Sequence, residues 1–180
     1  MQHSENLRPQ DVVVACKVFS LGAARVDCTY ALLGQQLGMS TSTAHESAAR
    51  CRQSQLLSPS GWTVNSRHLA ELLASAVPRI FYAVRGGLTC GSVTSTRAPA
   101  LAGKFRDQPG GVPFVWREDC SPGDLPRGES LDPLYPTAPA ACRADPILYE
   151  LLALADVMRV GTAADRSVAE SLIERRLSIR

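Results

Sequence analysis

The sequence predicts a mainly α-helical protein in which two helical regions are separated by an extended segment rich in proline and glycine. Apolar residues recur at helical spacing through residues 8–75 and again after residue 145. The stretch from Arg85 to about Asp145 is rich in glycine and proline, with eight of the twelve prolines between Pro109 and Pro146, so long helices or strands are not expected there. The predicted regions are residues 1–78, 79–145 and 146–180.

Two helices are predicted before residue 38. The first begins at Pro9, because a proline in the first helical turn loses no hydrogen bond, and its apolar stripe ends at Gly22. The second spans residues 29–37 and ends at Gly38, a residue that readily adopts the left-handed conformation that closes a helix. Its apolar residues recur at spacings of three and four, as one buried helix face requires.

A third helix is predicted from Thr41 to about residue 53. The hydroxyl of Ser40 can cap it, and Ala44, Ala48 and Cys51 fall on one narrow buried face. Turn residues at 58–61 and a β-favouring stretch at 62–64 then predict a short hairpin. A fourth helix is predicted to start with Ser66 as its cap and to end near Pro78.

The C-terminal region is predicted to hold two helices. Asp145 followed by Pro146 indicates a cap and a first helical turn, and the helix that follows is apolar over more than half its circumference. A break at Gly161 precedes an amphipathic helix over roughly residues 163–177. We expect both helices to complete the core and to form a homodimer. Asp156, Arg159 and Arg166 lie around the break, where an interhelical ion pair is favoured over an effector site.

Charge is distributed unevenly along the chain. Residues 1–75 carry a net charge of +1, residues 76–106 carry +5 with no acid, and residues 107–180 carry −4. The basic middle segment is the part of the chain best suited to contact a polyanion.

The six cysteines are widely spread, and none has the spacing that nucleates a zinc site. We interpret them as reduced thiols, with Cys16 and Cys51 in the core. The N-terminus lacks the apolar run of a signal peptide and no stretch is long enough to span a bilayer, so we expect a cytoplasmic protein. No cofactor is expected.

The second and third predicted helices carry the motif that suggests function. The segment TYALLGQQLGMSTSTAHESAARCRQSQLL resembles the helix-turn-helix of bacterial winged-helix regulators, a broad group that includes MarR-like proteins. Leu33 and Leu37 match the apolar anchors of the first helix, Gly38 matches the turn, and Ala44 and Ala48 match the buried positions of the recognition helix. The resemblance covers about 60 residues and implies a winged helix-turn-helix domain that binds DNA.

A recognition helix must present a small polar face to enter the major groove. With Ala44 and Ala48 buried, the outer side and its flanks hold the residues that we predict to contact DNA: Ser40, Thr41, Ser42, Thr43, His45, Glu46, Arg50 and Gln53. Hydroxyls and the imidazole can reach base edges or phosphates, Glu46 can accept from cytosine, and Arg50 can reach guanine or phosphate. The predicted phosphate contacts outside this helix are Arg67, Arg79, Arg85 and Arg97.

These features predict a sequence-specific transcriptional regulator, a repressor that occupies its operator as a homodimer on double-stranded DNA. The segments GESLDPLYPTAPAAC and LYELLALADVMRVGTAADRSVAESLIERRL are similar to bacterial helix-turn-helix proteins that are otherwise uncharacterised, and this similarity indicates no ligand.

Three alternatives stay open. The first is an antitoxin-like subunit that binds an operon-encoded partner protein, which an exposed apolar patch on the helix at 147–158 would favour. The second is a ligand-responsive regulator, which a closed apolar cavity between the two halves would favour. An enzyme comes third, because no residues with nucleophile, base or metal-ligand spacing are present. We therefore expect no catalytic activity.

Overall fold

The computed structural model of the protein describes residues 6–106, 110–119 and 123–178, and it is mainly α-helical with a small three-stranded sheet. The α-helices are α1 (Pro9–Ala23), α2 (Tyr30–Leu37), α3 (Thr41–Gln53), α4 (Ser66–Glu71), α5 (Val77–Ile80), α6 (Ala138–Arg143), α7 (Pro146–Val160) and α8 (Ala163–Ser178). The strands are β1 (Arg85–Thr94), β2 (Phe114–Arg117) and β3 (Arg127–Leu131). A π-helical turn, Leu72–Ala76, joins α4 to α5.

The three helices predicted in the N-terminal region are confirmed as α1, α2 and α3. Gly38 ends α2 with a φ of 63°, in the left-handed region that favours glycine. The backbone N–H of Thr43 donates to the Ser40 hydroxyl at 3.0 Å, so Ser40 caps α3 as expected. Only two residues separate the Gly38 turn from the first residue of α3, which fixes the angle between the two helices.

A buried ion pair joins α1 to α3. Asp11 on α1 accepts from Arg50 Nε at 2.8 Å and from Arg50 Nη2 at 2.9 Å, and the two side chains are 0% and 2% exposed. The Ser47 hydroxyl accepts a further bond from Arg50 Nη2 at 3.1 Å. A bidentate ion pair of this kind fixes both the distance and the relative rotation of α1 and α3.

The predicted hairpin after α3 is reduced to one β-bridge between Leu57 and Val64. The Ser58 N–H donates to the Thr63 carbonyl at 2.9 Å, which closes the loop between them. We refer to residues 57–64 as the bridge loop. The fourth helix is confirmed, although Asn65 rather than Ser66 is its cap: the Asn65 side chain accepts from the His68 N–H at 3.2 Å.

The extended middle segment holds a small sheet that the proline and glycine content did not predict. β1 pairs in antiparallel fashion with β3 over its first half and with β2 over its second half, and β2 and β3 are parallel neighbours. A Cβ on Gly91 would lie 1.8 Å from the Trp116 carbonyl oxygen, so this crossing of β1 and β2 requires glycine. The expectation that residues 85–145 lack long regular elements is therefore wrong for β1.

The two predicted C-terminal helices are confirmed as α7 and α8, and a short helix that we did not predict, α6, precedes them. α7 is buried along most of its length, and every residue from Leu151 to Met158 is buried. α1, α5, α6 and α8 surround it. Its apolar surface is therefore covered within the chain, and no apolar patch on α7 is exposed.

Two buried carboxylates hold α7 at its ends. Asp145 caps the helix through the Leu148 N–H at 3.0 Å and accepts from Lys17 Nζ and from the Ser20 hydroxyl, both at 2.7 Å. Burial opposes its ionisation, but these donors outweigh burial, so the pKa of Asp145 lies below its usual value. The N-terminal region is thereby tied to α7.

Near the other end of α7, Asp156 accepts from Thr94 Oγ1, Trp116 Nε1 and Arg159 Nη1, each at 2.7 Å. Burial raises the pKa of this carboxyl, and the three donors act in the opposite direction. The predicted ion pair at the Gly161 break thus forms within α7, between Asp156 and Arg159. The expectation that it joins two helices is wrong, and Arg166 lies exposed on α8.

The cysteines are not all reduced. Cys90 on β1 is disulfide-bonded, which corrects the interpretation of six free thiols, and Cys120 lies outside the described residues. Cys16, Cys28, Cys51 and Cys142 are free, and Cys16 and Cys51 are buried as expected. Burial raises the pKa of Cys28 to about 11, so this thiol is not activated as a thiolate at neutral pH.

Among the described helices, none combines the length and apolarity that crossing a bilayer requires.

The Asp11–Arg50 pair gives a first prediction. Arg50→Ala should lower the free energy of unfolding by about 3–5 kcal/mol, because it leaves the Asp11 carboxylate buried without its cation. The matched control is Arg67→Ala, which removes an exposed pair with Glu71 and should cost at most about 0.5 kcal/mol. Urea unfolding followed by circular dichroism measures both. Equal losses in the two variants would contradict a structural role for the buried pair.

Candidate nucleic-acid interface

α3 presents most of the predicted DNA-contacting residues on one exposed face. Ala44, Ala48 and Cys51 are buried, as the spacing predicts. Thr43 is half-buried beside its cap, and the exposed residues are Ser40, Thr41, Ser42, His45, Glu46 and Gln53. The structure therefore brings together seven of the eight α3-region residues that the sequence suggested.

Arg50 is the exception. Its guanidinium is held by Asp11 and Ser47 beneath the helix, and the side chain is 2% exposed. The expectation that Arg50 reaches a base or a phosphate is therefore wrong. The helical-wheel argument placed it on the flank of the outer face, and it did not foresee that Asp11, 39 residues earlier in the sequence, would turn the side chain inward.

The turn between α2 and α3 depends on close backbone approach. A Cβ on Gly34 would lie 2.8 Å from the Met39 carbonyl oxygen, so the last turn of α2 can approach the start of α3 only with glycine there. The Thr137 hydroxyl donates to the Leu37 carbonyl, which satisfies one of the free carbonyls at the end of α2. Thr137, which directly precedes α6, thus supports the end of α2.

A cation–aromatic cluster that the sequence analysis missed fixes the bridge loop beside α3. Arg52 on α3 lies 5.0 Å from the centre of the Trp62 ring and donates to the Tyr30 hydroxyl at 3.1 Å. The Tyr30 ring contacts both Trp62 and His45 edge-on, each with a 4.9 Å separation of ring centres. Arg52 also donates to the Gly61 carbonyl at 3.4 Å.

This cluster joins α2, α3 and the bridge loop into one surface, with the exposed His45 at its rim. Its members come from three elements, so no periodicity within one segment could have indicated it. The presence of Trp62 in a short polar loop was the available signal, since a large aromatic side chain in a loop generally has a packing partner.

The four arginines predicted outside α3 do not lie on α2, α3 or the bridge loop, and each contacts its own chain. Arg67 pairs with Glu71 at 3.1 Å and lines a surface cleft with Glu170 and Glu174 of α8. Arg79 donates to the Ser75 carbonyl. Their contact with phosphate stays a prediction.

Arg85 and Arg97 belong to the sheet region. Arg85 binds Glu129 through two hydrogen bonds of 2.6 and 2.9 Å and stacks on Phe114; these bonds lower the pKa of Glu129 and raise that of Arg85. Arg97 donates to the Gly111 carbonyl. The positive charge of residues 76–106 is therefore partly neutralised within the chain.

The described residues contain no group of three metal-ligating side chains that could hold an ion. The clefts between α2 and α6 and between α4 and α8 are open to solvent and partly polar. Neither has the closed apolar form that a ligand-responsive regulator would need.

Comparison of the chain with protein-family models, with curated proteins and with solved structures finds no match. What the chain does must therefore be argued from the geometry of α3 and its neighbours.

The arginine–aromatic cluster gives a second prediction. Arg52→Ala should speed amide hydrogen exchange at Ser58 and Asn65, the donors that close the bridge loop, and should lower stability by about 1–2 kcal/mol. NMR exchange measurements report both amides. Arg166→Ala, which removes an exposed arginine of α8, is the control and should change neither. Unchanged exchange in Arg52→Ala would show that the loop is held by other contacts.

Proposed function

We propose that residues 9–80 are a winged helix-turn-helix that binds double-stranded DNA, and that the protein is a sequence-specific transcriptional regulator. The observation that carries the proposal is the form of α3. Its inner side is a narrow stripe of small residues on α1 and α2, while its outer side is a mainly polar face, with Ala49 as its one apolar residue, that starts at the helix N-terminus.

This form suits the major groove for three reasons. Small polar side chains let the helix backbone approach base edges. The free N–H groups and positive end of the helix dipole at Thr41 and Ser42 attract phosphate, and no acidic residue lies in the first turn. The bridge loop, held to α3 by Arg52, would serve as the wing of such a domain and contact the flanking DNA backbone.

The internal contacts of the two arginines on α3 affect how this helix would bind DNA. Arg50 and Arg52 both make contacts within the chain, so α3 contributes hydroxyls, His45, Glu46 and Gln53 rather than free cations. Binding would then depend more on base-edge contacts and less on phosphate neutralisation than in a basic recognition helix. We expect a shallow dependence of affinity on salt, with few counterions released.

A role as a partner-binding, antitoxin-like subunit draws no support from α7, since its apolar surface is covered by the chain itself. That alternative remains an outcome of the experiment below. Enzymatic activity likewise draws no support from the described residues, which hold no group of three side chains that could bind a metal ion.

The test is selection of DNA sequences from a random duplex pool by the full-length protein, followed by fluorescence anisotropy on the selected site. The double variant Ser42→Ala, His45→Ala should bind that site at least about tenfold more weakly, because each lost base contact costs about 1–3 kcal/mol. Its binding to unselected DNA should be unchanged, since phosphate contacts are retained.

The matched control replaces two exposed helical hydroxyls elsewhere, Ser167→Ala with Ser171→Ala on α8, and should bind as the wild type does. If no sequence is enriched at low salt, the DNA-binding proposal is wrong and a protein partner becomes the better hypothesis. If the site is enriched but both double variants bind equally well, α3 is not the reading helix.

A further inference from the structure

A small cleft that collects positive charge lies where α7, α8 and the loop after Leu101 meet. Its volume is about 290 Å³. Three of its six lining residues are cations and one is an acid, so the lining carries a net charge of +2. We call this site the basic cleft, and the residues that line it are Ala100, Lys104, Glu150, Leu172, Arg175 and Arg176.

The backbone that carries these cations is held by packing. The 3-10 turn Pro99–Leu101 packs on α7, and Leu101 is buried at its end. The Lys104 N–H donates to the Leu101 carbonyl at 3.0 Å, so the lysine directly follows this fixed turn. On α8, Leu172 is buried one helical turn before Arg176. Two elements that are distant in sequence therefore bring their cations to the same cleft.

The chain neutralises only one of these cations. Among the described residues that line the cleft, Glu150 is the one acid; it binds Arg176, and its side chain is 13% exposed. The side chains of Lys104 and Arg175 make no hydrogen bond or ion pair with any residue that the structure describes. Both side chains are exposed, so they can turn toward a ligand in the cleft.

Structural roles within the chain account for only part of this arrangement. The nearest acids before these arginines on α8, Glu170 and Glu174, line the cleft beside α4 instead. The negative end of the α8 dipole favours cations in the last turn, which explains Arg175 and Arg176. It does not explain Lys104, which belongs to another element. Like charges that share a cleft disfavour one another, and an anion between them removes this cost.

We propose that the basic cleft binds the phosphate group of a small ligand. Lys104 and Arg175 donate to the phosphate oxygens, while Glu150 orients Arg176 toward the same group. Guanidinium and ammonium groups are the side-chain donors best suited to phosphate, because their hydrogen bonds to it are charge-assisted. The volume lies at the lower end of the range for ligand sites, so it suits one phosphate group, with the rest of a phosphate ester outside the cleft.

The basic cleft is separate from the surface proposed to bind DNA. α8 packs on α4 and α7, whereas α3 packs on α1 and α2. A concave site also suits a small anion better than the continuous backbone of a duplex. The proposal is therefore independent of DNA binding, and it can fail or succeed without affecting that proposal.

The test is a titration of the full-length protein with sodium phosphate, with sodium chloride added to keep the ionic strength constant, followed by two-dimensional NMR of the backbone amides. We expect saturable shifts at Ala100, Lys104 and residues 172–176 in the millimolar range or below. A parallel titration with glycerol phosphate distinguishes the two sources of the phosphate group. Tighter binding of the ester assigns the site to a phosphorylated small molecule, and tighter binding of inorganic phosphate assigns it to the free ion.

Two variants test the donors. Arg175→Gln and Lys104→Gln should each raise the dissociation constant for phosphate at least about tenfold, because each removes a charge-assisted hydrogen bond. The matched control is Arg166→Gln, which removes the same charge from an exposed arginine near the other end of α8 and should leave phosphate binding unchanged. Circular dichroism checks that all three variants fold, as expected for exposed positions.

The proposal is overturned if millimolar phosphate causes no saturable shift around the cleft, or if Arg166→Gln weakens binding as much as Arg175→Gln does. Equal binding by the wild type and both cleft variants would also overturn it. If a DNA duplex shifts the amides of the cleft while inorganic phosphate and glycerol phosphate do not, the cleft contacts DNA and the small-ligand proposal is wrong.

Discussion

α7 is apolar around most of its circumference, and the rest of the described chain is arranged to cover it. Helices from both ends of the sequence surround it, and the sheet reaches it through Thr94 and Trp116. Burying such a helix yields a large hydrophobic gain. Hydrophobic burial alone does not fix how the other elements are oriented around α7. Asp145 and Asp156 do fix this orientation, because each buried carboxylate needs hydrogen-bond donors, which come from α1 for Asp145 and from the sheet for Asp156.

The need to pair buried charged groups also explains which residues of α3 are exposed. α1 packs on α7 through one side and holds Arg50 of α3 through Asp11 on another. The arginine that a reader of the sequence would assign to DNA is therefore part of the internal support, and Arg52 similarly supports the bridge loop. What remains exposed on α3 is small and nearly neutral, so selectivity in the proposed function comes from the shape and hydrogen-bonding groups of that face rather than from a strong positive field.

Arg159 connects the core to the surface in a comparable way. It compensates the buried charge of Asp156 and, with its other nitrogens, binds the Phe81 and Tyr82 carbonyls, which fixes the backbone between α5 and β1.

The sequence by itself determined most of the helices and several of their ends. Local physics is sufficient there: Gly38 closes α2, Ser40 caps α3, Asp145 and Pro146 begin α7, and helical periodicity gave the buried faces of each. It also located the polar face of α3. It did not reveal the sheet, because β1 pairs with residues 20 or more positions away and its glycines were interpreted as turn signals. The partners of Arg50, Arg52 and Cys90 were likewise decided only by the tertiary structure, since a long side chain or a thiol can reach several neighbours and contacts distant in sequence select one of them.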